Sequence, residues 1–151
     1  MNGLTSRLQS NSIYMPESIC IPGLVRLSRY DMTCIDHALA YIDQHYRNAL
    51  SAEQLSIEAE LNIKKLRAGI RKKTGYTLHE YHFKVRIDKA KALLLQTGYP
   101  LKQIANSVGF KNESHFCQKF RQFVGVTPNE FRYLSEEASA ATQEILKREA
   151  I

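Results

Sequence analysis

Residues 66–81 read LRAGIRKKTGYTLHEY, and fifty positions later the chain reads FCQKFRQFVGVTPNEF over residues 116–131. Laid over one another, Leu66 falls on Phe116, Ile70 on Phe120, Arg71 on Arg121, Gly75 on Gly125, Thr77 on Thr127, Glu80 on Glu130 and Tyr81 on Phe131. Each copy carries apolar anchors at i and i+4, a basic residue after the second anchor, a helix-stopping Gly and a Thr that caps the next helix. This is the second half of a helix-turn-helix unit, present twice. An all-α chain built this way presents two similar helices to one repetitive partner.

Upstream of the first copy, Ser51 and Gln54 make a capping box that opens a short helix to about Ala59, and Asn62 caps the next, which runs to about Thr74 with Gly75 as its stop. Before these, Ile35, Leu39 and Ile42 recur at helical spacing, with Thr33 as the expected N-cap. Between the copies, Leu78 to about Gln96 is the longest amphipathic run, with Phe83, Ile87, Ala90 and Leu94 on one face and Lys84, Lys89 and Lys91 off it. It predicts a rod of about 27 Å, closed by Gly98. The second unit repeats the plan: Leu101 to Val108, a turn at Gly109 and Phe110, then Asn112 capping a helix to about Val124. Thr127 and Pro128 open a last short helix. In the tail, Leu134, Ala138, Ala141 and Ile145 have helical spacing, so an extra helix is expected there. Residues 1–33, broken by Pro16, Pro22 and Gly23, read as a loosely structured arm or linker remnant, too short for a ligand-binding domain.

Charge narrows the partner. The net charge is +6, but residues 34–134 alone hold 16 Lys and Arg against 9 Asp and Glu, whereas the tail from 135 is acidic. The positive charge therefore sits in the repeated part, as a footprint on phosphate requires. An acidic membrane or an acidic protein would also suit a basic surface. Cys20, Cys34 and Cys117 are odd in number and widely spaced, indicating neither a disulfide framework nor a zinc site and favouring a reducing, cytoplasmic setting. Met1 to Ser10 has no signal-peptide pattern, and no apolar stretch approaches about 20 residues, so no membrane role is expected.

The run from Ile63 to Thr74 contains Lys64, Lys65, Arg67, Arg71, Lys72 and Lys73 with no acid. Lys64, Arg67 and Arg71 share one face, and Ile63, Leu66 and Ile70 another. A helix in the major groove reads bases with its first turns and touches phosphate with its flanks. Lys64 and Arg67 are thus candidate base readers; Lys65, Arg71, Lys72 and Lys73 are phosphate contacts or solvated charges. In the second unit Glu113, Ser114, Cys117 and Gln118 line the exposed start of the helix, a set able to meet cytosine, adenine and mixed base edges. Arg121, the counterpart of Arg71, is a phosphate candidate. Plain solvated surface is the alternative for each of these residues. His79, Glu80 and His82 lack the i, i+4 zinc spacing, His115 has no acid placed beside it, and no phosphate loop or nucleophile elbow occurs, so no metal, cofactor or enzymatic activity is expected.

Leu101, Ile104, Ala105, Val108, Gly109, Phe110, Ser114, Phe116, Gly125, Thr127, Pro128, Phe131 and Arg132 follow the pattern I-x-x-I-A-x-x-V-G-F, S-x-F, G-x-T-P-x-x-Y/F-R, and Tyr81, Arg86, Ile87, Ala90, Leu93 and Leu94 follow Y-x-x-x-x-R-I-x-x-A-x-x-L-L. In these the chain resembles the AraC/XylS family of bacterial transcription regulators, over about Ile35 to Arg132. The resemblance implies two homeodomain-like helix-turn-helix subdomains (34–77 and 98–134) joined by a linker helix (78–97), with recognition helices in successive major grooves. It implies base-reading places at Lys64, Lys65, Arg67 and Ala68 and at Glu113, Ser114, Cys117 and Gln118, with Arg86 holding the halves together. It also implies transcription regulation on duplex DNA and nucleoid association, with an activator role and RNA polymerase as a partner as one reading and repression as the other. Departures gather in the first unit: Ser56 for Ala, Glu60 for a turn Gly, Ile70 for Phe, and Gly69, which costs a helix interior about 1 kcal/mol relative to Ala. A less rigid first unit is expected.

Most members of that family carry a separate effector domain. The chain is therefore expected to act as a stand-alone regulator, monomeric on DNA, or as the DNA-binding fragment of a larger ligand-responsive one. The alternatives are a non-specific nucleoid or protein-interaction module, and the DNA-repair methyltransferase to which such modules are fused. The latter needs a reactive cysteine cluster that these three cysteines do not form.

Overall fold

The computed structural model describes residues 24–150 and shows, within them, seven α-helices and no strand. Most of the expected arm, and Cys20 with it, lies outside the described residues. The helices are α1 (Arg29–Gln44), α2 (Ala52–Glu58), α3 (Ile63–Thr74), α4 (Leu78–Gln96), α5 (Leu101–Ser107), α6 (Glu113–Val124) and α7 (Pro128–Glu149).

Local chemistry sets most of these ends. Asn62 and Asn112 cap α3 and α6, Thr77 and Thr127 open α4 and α7 with full capping boxes through Glu80 and Glu130, and Gly75 and Gly125 close α3 and α6 in the left-handed region. Backbone N–H groups of Thr77 and Thr127 hold the Glu80 and Glu130 carboxyls below the usual range, the reciprocal half of each box.

The structure corrects four details. First, α1 starts at Arg29, because Ser28 and Asp31 form a reciprocal box there, Ser28 Oγ accepting from the Asp31 N–H at 3.0 Å and Asp31 from the Ser28 N–H at 2.7 Å. Thr33 instead donates to Arg29 O one turn back, and the expected boundary at 33/34 falls inside α1. Second, the box at Ser51 is half made: Ser51 caps Gln54, but the Gln54 amide donates to the Tyr41 hydroxyl. Third, α4 ends on Thr97, whose hydroxyl bonds Leu93 O, before Gly98 is reached. Fourth, the last helix and the tail are one rod of 22 residues, with no Gly or Pro after Pro128 to stop it. From Glu136 onward every described residue of α7 is exposed, so helix propensity and pairs such as Glu144–Arg148 carry that stretch rather than packing.

Two cores flank α4. Ile35, Ala38 and Ile42 of α1, Leu55 of α2, and Leu66 and Ile70 of α3 form the first, which also takes Val85. Ile87, Ala90 and Leu94 join Ile104, Val108, Phe110, Phe116 and Phe120 in the second. The linker is therefore a shared wall, with its buried Val85 in the first core and its buried Ile87, Ala90 and Leu94 in the second. In the second core Phe83, Phe110, Phe116, Phe120 and Phe131 form a chain of rings with successive centroids 5.4 to 5.8 Å apart, geometry that adds to the burial of the rings.

Gly69 has a packing reason. A Cβ there would sit 1.8 Å from Ile35 Cδ1, so the missing side chain is what lets α1 lie against α3. Glu60 occupies a left-handed turn at φ 51°, the conformation for which a Gly is better suited.

Candidate nucleic-acid interface

The two units present matching surfaces. In α3 the face of Leu66, Gly69 and Ile70 is buried while Lys64, Arg67, Arg71 and Lys72 are exposed. In α6 Phe116 and Phe120 are buried while Glu113, Ser114, Gln118 and Arg121 are exposed. Ala68 and Cys117 are half-buried at the edges of these faces. The repeat extends to surface relief: Arg67, Arg71 and Thr77 line a depression in the first unit, and Cys117, Arg121 and Thr127, each fifty residues on, line one in the second.

Lys65 and Lys73 differ from the rest of the basic run. Lys65 Nζ lies 2.9 and 3.1 Å from the two carboxylate oxygens of Asp31, itself buried, and Lys73 is paired with Asp36. Both lysines therefore turn toward α1, on the side of Gly69. The expectation that Lys65 reads a base and Lys73 meets phosphate runs against these partners. Asp31 and Asp36 are more than thirty residues away in sequence, and no local signal announces the pairing. The Ser28 N–H and then Lys65 hold the Asp31 carboxyl below its ordinary range, so that carboxylate is ionised at neutral pH.

Arg71 approaches Glu80 at 3.8 Å, an exposed contact that contributes little to stability. Burial, and then Glu113, pushes the Cys117 thiol up, leaving it protonated at neutral pH as a small, weak hydrogen-bond donor.

The relative placement of the units rests on residues between them. Arg86 Nε donates to Tyr46 O at 2.6 Å, its Nη2 donates to Asn48 O at 3.0 Å and Arg47 O at 3.3 Å, and its guanidinium lies 5.6 Å from the Phe110 centroid. His82 Nε2 bonds the same Tyr46 O at 2.8 Å. Burial depresses the His82 imidazole, which stays neutral and donates from that nitrogen. The loop after α1 is thus fastened to α4 and pressed against the turn of the second unit. Gly109 meets it at φ 94°, where a Cβ would lie 2.5 Å from Arg47 O. His79 and His115 pack edge-on against Phe83, at 4.8 and 5.5 Å, and Lys119 Nζ sits 4.9 Å from the same ring. This clasp tying α6 to α4 was not legible in the sequence, whereas the tying role of Arg86 between the halves was implied by the resemblance.

A helix-turn-helix family model matches residues 55–133, slightly over half the chain. The probable transcriptional regulator LumQ of Photobacterium leiognathi is 33% identical over 108 residues, 72% of this chain and 42% of that protein. The C-terminal domain of AraT, a response regulator from Geobacillus stearothermophilus, superposes with a TM-score of 0.63 at 29% identity, over 73% of this chain and 88% of that one. The DNA-binding domain of AdpA, solved with a target DNA, shares the fold with a TM-score of 0.64 at 20% identity, over 69% and 94% of the two chains. Two helix-turn-helix units around a shared helix define a DNA-binding module. The chain belongs to the AraC/XylS-type helix-turn-helix family of transcription regulators. It spans about two fifths of the length of curated relatives such as LumQ. No described helix is long and apolar enough to cross a membrane.

Proposed function

We propose that this chain is the DNA-binding part of a sequence-specific, non-enzymatic transcription regulator that sets α3 and α6 into successive major grooves of one duplex. The observation that carries this reading is the duplicated surface: two helices with the same caps, the same buried anchors and the same left-handed stop each leave their first turns open to solvent. Lys64, Arg67 and Ala68 serve as readers in the first unit, and Glu113, Ser114, Cys117 and Gln118 in the second. Arg71, Lys72 and Arg121 meet phosphate. Lys65 and Lys73 are left out, since each is committed to an aspartate of α1. The DNA-binding domain then runs from α1 to the start of α7 and works in the cytoplasm, on the nucleoid, as a monomer on DNA. RNA polymerase is the expected protein partner of an activator of this type.

Selection of bound duplexes from a random pool, followed by affinity measurement at physiological salt, tests the reading. A specific regulator enriches a site of about 20 base pairs with two conserved blocks one helical turn apart, and binds it about a thousandfold or more tighter than random DNA. A ratio near one would establish the non-specific nucleoid module instead. Affinity should also fall steeply with added salt.

A further inference from the structure

The first unit contains a larger and more enclosed groove than its repeat, with a different lining. A cavity of about 710 Å³ lies between α2, α3 and the start of α4, floored by the core residues Ile42, Ala52 and Leu55 and edged by Arg67 and Arg71. The matching depression in the second unit is lined by Cys117, Gln118, Arg121, Gln122 and Thr127, with no aliphatic floor. That depression is smaller and more open, about 550 Å³, and where the first unit has Ala52, Leu66 and Ile70, the corresponding places of the second hold the larger Leu101, Phe116 and Phe120. An apolar floor with convergent charged groups at its mouth is the make-up of a small-molecule site, and the volume is in the usual range for one.

We propose that this groove binds a small amphipathic anion, an aryl or branched-chain carboxylate or sulfonate, and that its occupant withdraws Arg67 from DNA. Arg67 has no acidic partner among the described residues. Arg71 has Glu80 at 3.8 Å, whose Oε2 also accepts from the Thr77 N–H at 2.8 Å. Glu53 is the one acid among the lining residues. Of the two guanidiniums at the mouth, Arg67 is the one with no ion pair among the described residues, so it is open to an anion, and its planar donors suit the paired oxygens of a carboxylate or sulfonate. The hydrocarbon part of the ligand lies over Ala52 and the half-buried Leu50 and Leu78 of the lining. This inference rests on the DNA-reading role of Arg67, because the same guanidinium is claimed by both partners.

The probe is 1-anilinonaphthalene-8-sulfonate, titrated by fluorescence into the full chain, with duplex affinity measured both in its absence and in its presence. Expected are one saturable site and a weakening of duplex binding as it fills. Ala52→Leu, which installs the residue of the second unit, should reduce probe affinity at least about tenfold and leave probe-free duplex binding unchanged. Arg67→Met should reduce probe affinity about tenfold, the loss of one charge-assisted contact, and Arg121→Met in the second unit should leave it as it was. Arg67 is exposed, so that variant keeps the test intact if Ala52→Leu proves unstable by circular dichroism. No saturable binding, equal loss with Arg121→Met, or binding indifferent to both groove substitutions would overturn the proposal. Probe binding with these sensitivities in a chain that ignores DNA would keep the site and sink the DNA-reading role together with the competition.

Discussion

Replacing Gly109 with Ala tests whether the two units are held in register by the loop after α1. Two costs combine. A φ of 94° is unfavourable for any residue with a Cβ, by about 1–2 kcal/mol, partly offset by about 0.4–1 kcal/mol from the less flexible unfolded chain. The second cost is overlap, since the new Cβ would lie 2.5 Å from Arg47 O and 2.9 Å from its Cα. That neighbour is backbone, and Arg86 and His82 both fasten its loop, so it has little room to give; overpacking of this kind costs about 1–3 kcal/mol. The total is about 1–5 kcal/mol. Gly125→Ala is the matched control: its φ is 92°, but nothing lies within 4 Å of a Cβ there, so it bears the conformational cost alone. At about 4 °C per kcal/mol for a domain of this size, Gly109→Ala should melt about 4–20 °C below the parent, and about 4–12 °C below Gly125→Ala, which should itself lose only a few degrees. Thermal unfolding by circular dichroism reads both. If the two variants melt together, the contact between loop and turn contributes nothing and the account of how the units are fixed is wrong.

Other predictions concern the reading face and its titration. Arg67→Ala should relax preference at one base position at a cost of about 1–3 kcal/mol for the preferred site, whereas Lys72→Ala should weaken all duplexes alike and lower the salt slope by about one; equal effects of both changes on preferred and random DNA would remove the assigned roles. Lys65→Met should leave base preference intact while lowering the melting temperature at pH 7, with a smaller loss in acid, where Asp31 is protonated and the pair is already broken. A base preference that disappears in this variant would return Lys65 to the readers. On the acid side stability should fall in two stages. Burial depresses His82 below its unfolded value of about 6.5, so the unfolded chain takes up the proton first, and the contribution present above that pH is lost as pH falls through it. Asp31, Glu80 and Glu130 are depressed carboxyls; their contribution is present above about pH 4 and lost as pH falls through the folded values. His82→Gln should remove the first stage in a melting series against pH, and persistence of that stage would assign it to another group.

What the sequence by itself determined are features encoded within three or four residues: the Asn62, Asn112, Thr77 and Thr127 caps, the glycine stops, the spacing of Phe116 and Phe120, and hence two helix-turn-helix units and their family. Capping and periodicity act over a single turn, so the order of residues carries them directly. Only the tertiary structure decided that Lys65 and Lys73 belong to Asp31 and Asp36, that Gly69 makes room for Ile35, that α4 serves both cores, and that Gly109 receives the Arg47 backbone. Each depends on groups far apart in the chain, whose meeting is set by packing and the desolvation that accompanies it. A basic run along one helix therefore shows that charge is present, while the acids of a neighbouring helix determine how much of it faces outward.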